Sequence, residues 1–127
     1  MKSGKYTLKS RLDSFKYAFR GISTLFREEP NAVIHLIASI LVLFAGFVLK
    51  VSPAEWCILV IVAGVVFVAE IFNTSLETIG DIIDSEWNEK IMKAKDLAAA
   101  GVLVAAMVSV ISGLIIFVPK IISLFNS

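Results

Sequence analysis

The sequence predicts an all-α integral membrane protein with three transmembrane helices preceded by an N-terminal amphipathic surface helix. Three observations carry that prediction. The 127 residues are 57% hydrophobic, with a mean hydropathy of +0.85, too apolar for a soluble domain of this size. Two runs lack any Asp, Glu, Lys or Arg, 18 residues from Ala32 to Leu49 and 23 from Leu97 to Pro119, with a third from Trp56 to Ala69. Charge is segregated rather than scarce, since 7 of the 12 Lys and Arg precede Glu28 although the formal net charge is only +1. Such a chain forms one membrane domain, with no linker, repeat or low-complexity segment. About thirty charged or amphipathic residues precede the first apolar run, which is not the pattern of a cleaved secretory signal.

Residues 6–29 form the surface helix. Leu8, Leu12, Phe15, Phe19, Ile22 and Phe26 recur at intervals of three and four, while Lys9, Arg11, Lys16, Arg20 and Arg27 fall largely elsewhere. That is the pattern of a helix lying in the membrane interface. The first span is residues 31–50, long enough to cross the hydrocarbon core. Lys50-Val51-Ser52-Pro53 ends it, and Glu55-Trp56 opens the second span, residues 54–85, with Trp56 suited to the headgroup layer and Pro53 to a first helical turn. The short connection makes these spans antiparallel neighbours. The second helix continues beyond its apolar run into water, and the third span, residues 91–119, crosses back and ends near Pro119 and Lys120. Small residues at Ala98-Ala99-Ala100-Gly101 and Ala105-Ala106 favour close helix packing. Ten Lys and Arg lie in the N-terminal segment and the loop before the third span, against Lys50 and Lys120 on the other side. The positive-inside rule then places the N-terminus in the cytoplasm. The single cysteine, Cys57, has no intrachain partner, so no disulfide supports the fold.

Chemistry concentrates on the second helix. Glu70, Asn73, Glu77, Asp81 and Asp84 fall at i, i+3, i+7, i+11 and i+14, and at 3.6 residues per turn they project from one face. A carboxylate at the depth of Glu70 costs a few kcal/mol to insert, so it faces the bundle interior and marks a functional site. The alternative for Glu70 is a purely structural role, protonated or hydrogen-bonded to a neighbouring helix, and the functional reading is favoured over it; for Asp84 a solvated helix end suffices. Glu28-Glu29 end the surface helix at the same membrane face, where paired carboxylates suit Mg²⁺ while leaving positions for phosphate oxygens and water. Lys95-Asp96 begin the third helix there, beside Lys90, Lys93 and the loop Glu86-Trp87-Asn88-Glu89. Lys95 suits a nucleotide phosphate, whereas Lys90 and Lys93 read as membrane anchors. No GxxxxGK[ST], GxGxxG or protein-kinase catalytic loop is present, so any ATP is bound by other means. His35 lies one to two turns into the first span, near the level of the site.

The run Glu70-Ile-Phe-Asn73-Thr-Ser-Leu-Glu77, followed 18 residues later by Lys95-Asp96-Leu-Ala-Ala-Ala-Gly, resembles the prokaryotic diacylglycerol kinase and undecaprenol kinase family. Glu29 ahead of the first span and the three-span plan extend the likeness from about Tyr17 to Val118. The resemblance implies a homotrimer that transfers the γ-phosphate of ATP to a lipid hydroxyl at the cytoplasmic face of the bacterial inner membrane, with sites shared between protomers. It further implies Glu70 as catalytic base, Glu29 and Glu77 as Mg²⁺ ligands, and Asn73, with Asp81, as polar support. Tyr17, Glu29, Glu77, Glu86, Asn88, Lys95 and Asp96 match positions that contact nucleotide, although Asn88 stands where the family usually has His. Asn-Thr-Ser-Leu-Glu, with Glu29-Pro30-Asn31 and His35, looks more like the undecaprenol kinase branch. The expected partners are ATP, a lipid alcohol (undecaprenol or diacylglycerol), membrane lipids and further copies of the chain, with no nucleic acid. A different class remains compatible with the residues, a non-enzymatic oligomer serving as ion pathway or scaffold, because intramembrane Glu and Asn also line pores.

Overall fold

In a computed structural model, which describes residues 6–84 and 86–127, the chain folds as four helices: α1 (Leu8–Glu28), α2 (Pro30–Val48), α3 (Pro53–Ile83) and α4 (Glu89–Phe125). Among the described residues, α2, α3 and α4 are long and apolar enough to cross a membrane. α3 and α4 pack together most extensively, α2 lies beside α3, and α1 touches both α2 and α3.

α1 begins with a capping box. The Thr7 hydroxyl accepts from the Ser10 amide and the Ser10 hydroxyl accepts from the Thr7 amide, each at 3.2 Å, satisfying donors a helix start otherwise leaves open. Its Leu8, Leu12, Phe15 and Phe19 stay exposed, as an interfacial helix requires. Near its end, buried Leu25 and the edge-on contact of Phe26 with Phe67 of α3, ring centres 5.9 Å apart, fasten it to the bundle.

One residue joins α1 to α2. Glu29 caps the C-terminus of α1, its N–H donating to the Leu25 carbonyl at 2.9 Å, and caps the N-terminus of α2, its own carbonyl accepting from Ala32 at 3.1 Å. Pro30 disfavours helical geometry at the residue before it, and Glu29 is extended (φ −113°, ψ 103°). The proline then opens α2, where a missing N–H costs no hydrogen bond. The chain turns at Glu29, and fully buried Ala32 seats the first turn of α2 in the bundle.

The α2–α3 turn is a Schellman close, in which the Val51 amide reaches back to the Gly46 carbonyl at 3.1 Å. The left-handed position that such a turn needs is held by Lys50 (φ 53°) rather than by glycine. Gly46 lies beneath the Trp56 ring, which would collide with any side chain there. Val51, Leu59 and Ile116 form the buried core at this end.

α4 differs from the sequence expectation at both ends. It starts at Glu89 rather than residue 91, because Asn88 caps it, its Oδ1 accepting from the amides of Lys90 (3.0 Å) and Ile91 (3.3 Å). It also runs through Pro119 to Phe125 instead of stopping at the proline. Proline removes one helical hydrogen bond, a loss that membrane helices tolerate where neighbours compensate. Here Lys120, the residue after the proline, pairs with Glu55 of α3 at 3.0 Å.

Candidate active site

The buried face of α3 carries Leu59, Val66, Glu70, Asn73 and Gly80, so the acidic stripe read from the sequence continues the apolar one. Glu70 is the most deeply buried large side chain described, at 1% exposure, and Asn73 is also buried. Glu77 and Asp84 are half-buried, and Asp81 is exposed. Among the described residues, three buried side-chain oxygens have no hydrogen-bond partner: Glu70 Oε1, Asn73 Oδ1 and Thr74 Oγ1. Leaving such atoms unpaired costs roughly 1–3 kcal/mol each. All three lie within one helical turn of α3.

Glu29 faces this turn from the α1–α2 elbow. Its carboxyl is held above the ordinary value of 4.5, first by burial, then by the negative charges of Glu77 and Glu70, with a smaller contribution from Glu28. The nearby Thr74 hydroxyl opposes the shift. Glu29 therefore feels the charge of two further carboxylates, both on α3. His35 of α2 approaches from the membrane side, with Nε2 3.4 Å from Glu70 Oε1.

Among the described residues, no group of three or more His, Cys, Asp and Glu side chains is arranged to hold a metal by itself. Mg²⁺ does not need one, since it is commonly bound through one or two carboxylates plus substrate phosphates and water. A half-buried carboxylate pair that repels itself, beside buried oxygens without donors, fits that demand.

One turn beyond the cluster, Lys95 of α4 crosses over Gly80, where a side chain would press on Lys95 Cε and Ile91. Its ammonium donates to Asp81 Oδ1 at 2.6 Å. Tyr17 lies in a groove between α1 and α3 that it shares with Arg20, Thr24, Glu28, Thr74 and Thr78, and the Arg20 guanidinium sits 5.5 Å above the Tyr17 ring. Asp96, by contrast, lines a different groove on the outer side of α4, with Trp87, Glu89 and Lys93. Glu86 is exposed, its amide bound to Asp84 Oδ1 at 2.9 Å. The chain thus gathers Glu29, Glu70, Asn73 and Glu77, pairs Lys95 with Asp81, and leaves Asp96 apart.

Thr74 escaped sequence reasoning. Its signal was its spacing, four residues after Glu70 and three before Glu77, on the flank of the stripe.

A buried acid and a buried amide on a helix long and apolar enough to cross a membrane, a facing carboxylate and a nearby lysine are compatible with a membrane-embedded phosphotransferase with an alcohol acceptor, and similarity to known proteins decides for that class. The chain belongs to the prokaryotic diacylglycerol kinase family, whose model matches residues 16–117, and it is a lipid kinase. It is 40% identical over 108 residues to an undecaprenol kinase of Bacillus subtilis, covering 85% of this chain and 88% of that one. A diacylglycerol kinase of Synechocystis is 33% identical over 114 residues, covering 89% of this chain and 65% of its own. One of Escherichia coli K12 is 29% identical over 96 residues, covering 76% and 79%. Family membership favours the enzyme over the ion pathway or scaffold.

Proposed function

We propose that this chain transfers the γ-phosphate of ATP to the hydroxyl of a membrane lipid alcohol, with undecaprenol ahead of diacylglycerol as acceptor, at the cytoplasmic face of the bacterial inner membrane. The observation that carries this reading is Glu70, buried at 1% exposure with Oε1 unpaired, beside the self-repelling Glu29 and Glu77. The order of acceptors rests on the higher identity to the Bacillus subtilis undecaprenol kinase.

In this reading Glu70 takes the proton of the acceptor O–H as its oxygen bonds to the γ-phosphorus. The bond from that phosphorus to the bridging oxygen breaks, and ADP departs in a single step. A base needs hydrogen-bond reach of its proton and a site that excludes water, and burial on α3 supplies the second. Glu29 and Glu77 would hold Mg²⁺, which when bound neutralises phosphate charge. Lys95 exchanges Asp81 for a phosphate oxygen, and Asp81 otherwise keeps it aimed across Gly80. The Asn73 amide orients the reacting groups. Tyr17, with Arg20 behind it, borders the nucleotide, and Glu86, Asn88 and Asp96 reach it from a second protomer of a homotrimer. Gly64, Gly101 and Gly113 have open space where a Cβ would stand, and small residues of this kind admit a neighbouring helix in a membrane. The distribution of Lys and Arg supports a cytoplasmic N-terminus.

The test is phosphate transfer from labelled ATP by purified protein in mixed micelles with Mg²⁺, comparing undecaprenol with diacylglycerol. Undecaprenol is expected to be labelled preferentially. Preference for diacylglycerol would reverse the acceptor assignment, and labelling of neither would sink the reading.

A further inference from the structure

A side chain from outside α3, His35 of α2, approaches the Glu70 carboxylate. We infer that His35 is the positioning residue of Glu70, its Nε2–H fixing Oε1 so that the other carboxylate oxygen faces the acceptor hydroxyl. The inference rests on the reading of Glu70 as the base.

The geometry comes from α2. Pro30 fixes where that helix begins, fully buried Ala32 seats its first turn in the bundle, and His35 follows three residues later, on the same face. The Ser39 hydroxyl donates to the His35 carbonyl at 2.8 Å. The imidazole therefore leaves a seated helix toward α3, with its side chain 25% exposed and Nε2 3.4 Å from Oε1. That separation exceeds the usual 2.7–3.2 Å of an N–H···O bond, and Oε1 has no hydrogen-bond partner. Catalytic hydrogen bonds are often long before substrate arrives and shorten in the reacting complex.

The chemistry explains why a positioning group is needed here. Glu has three side-chain torsions, and its terminal torsion is broad, so an unpaired carboxylate midway along α3 does not select one orientation by itself. A donor at one oxygen selects it. His35 also borders an apolar cavity of about 240 Å³ between α2, α3 and α4, together with Val66 and Phe67. The ring thus separates the carboxylate from apolar space on its membrane side.

The test compares His35→Ala, His35→Gln and Glu70→Gln in full-length protein in mixed micelles, measuring kcat and the KM values for ATP and for undecaprenol. Loss of a partner that orients a metal-ligating side chain typically costs about 10- to 100-fold, and a partner that orients a base is expected to act on the same scale. His35→Ala is expected to lose kcat on that scale with both KM values within about twofold of wild type. His35→Gln keeps an N–H donor and is expected to recover kcat to within about threefold of wild type. Should the alanine protein lose the wild-type elution profile, His35→Leu, which keeps apolar bulk without a donor, replaces it. A donor-free variant with unchanged kcat, a loss confined to KM, or a glutamine variant no better than alanine overturns the inference while leaving an inactive Glu70→Gln as support for the base. Turnover by Glu70→Gln overturns both.

Discussion

The two ends of the helical bundle are built on opposite terms. At the end that holds the α2–α3 turn, Gly46 accepts the Trp56 ring, and the Phe47 and Trp56 rings lie 4.9 Å apart. Ser52 and Glu55 close a capping box there, and Glu55 also meets Lys120. At the other end, a single turn of α3 holds Glu70, Asn73 and Thr74 with buried oxygens unpaired, and Glu29 adds a carboxylate whose proton is bound more tightly than usual. One end satisfies its polar groups and packs. The other keeps them open and is stabilised by its surroundings. Strain of this kind persists at functional sites because the rest of the fold over-determines it.

The sharpest way to test the contrast is to swap losses between the ends. On the proposed reading of Glu70 as the base, Glu70→Met should abolish turnover, a fall of at least about 10²-fold, while thermal unfolding stays level or rises, because an unpaired buried carboxylate gives way to an apolar side chain. A lower Tm would show that Glu70 contributes to stability. Gly46→Val should do the reverse, costing about 2 kcal/mol by overpacking against Trp56 and leaving the turnover of still-folded molecules unchanged, as read by Tm and by activity per folded protein.

A smaller effect concerns Glu29. A raised carboxyl pKa means that the folded chain holds the proton more tightly than the unfolded one, so its stabilising share is complete below the ordinary 4.5 and is lost as pH rises through the folded value. Without Mg²⁺, Glu29→Gln should therefore unfold at higher temperature than wild type at neutral pH, with the difference closing toward pH 4.5. Added Mg²⁺ should raise wild-type Tm and not that of the variant. Equal Tm values across the range would remove Glu29 from the repelling cluster. The smallest effect falls at Lys50, whose left-handed backbone costs a non-glycine residue about 1 kcal/mol. Lys50→Gly should raise Tm by a degree or two, less than that energy alone implies because glycine loosens the unfolded chain.

Much of this division is legible in the amino-acid sequence. Charge-free runs at 32–49 and 97–119 announce spans because hydrocarbon excludes charge, and Pro30 and Pro53 mark helix starts for local steric reasons. The period of Glu70, Asn73 and Glu77 puts them on one face, and the fold buries the first two. What the sequence lacks is relative azimuth. Periodicity tells which residues of α2 share a face, but not that the face bearing His35 meets Glu70. Nor does it tell that Gly80 gives Lys95 room to reach Asp81. Pro119 misleads because its local cost is fixed, whereas the contact of Lys120 with Glu55 is long-range. Asn88 has a local signal as a helix cap, and its two amide contacts give a reason for asparagine where the family usually has histidine.

The one-residue elbow at Glu29 couples the enzyme to its solvent. α1 rides at the interface, whereas α2, 19 residues and about 28 Å long, matches a hydrocarbon layer of about 30 Å with little to spare. With no slack between them, a thicker bilayer cannot draw α1 outward without carrying the Glu29 carboxylate away from Glu77 and Glu70. Turnover measured across vesicles of increasing acyl-chain length should then pass through a maximum, making lipid thickness a setting of the enzyme as well as its surroundings.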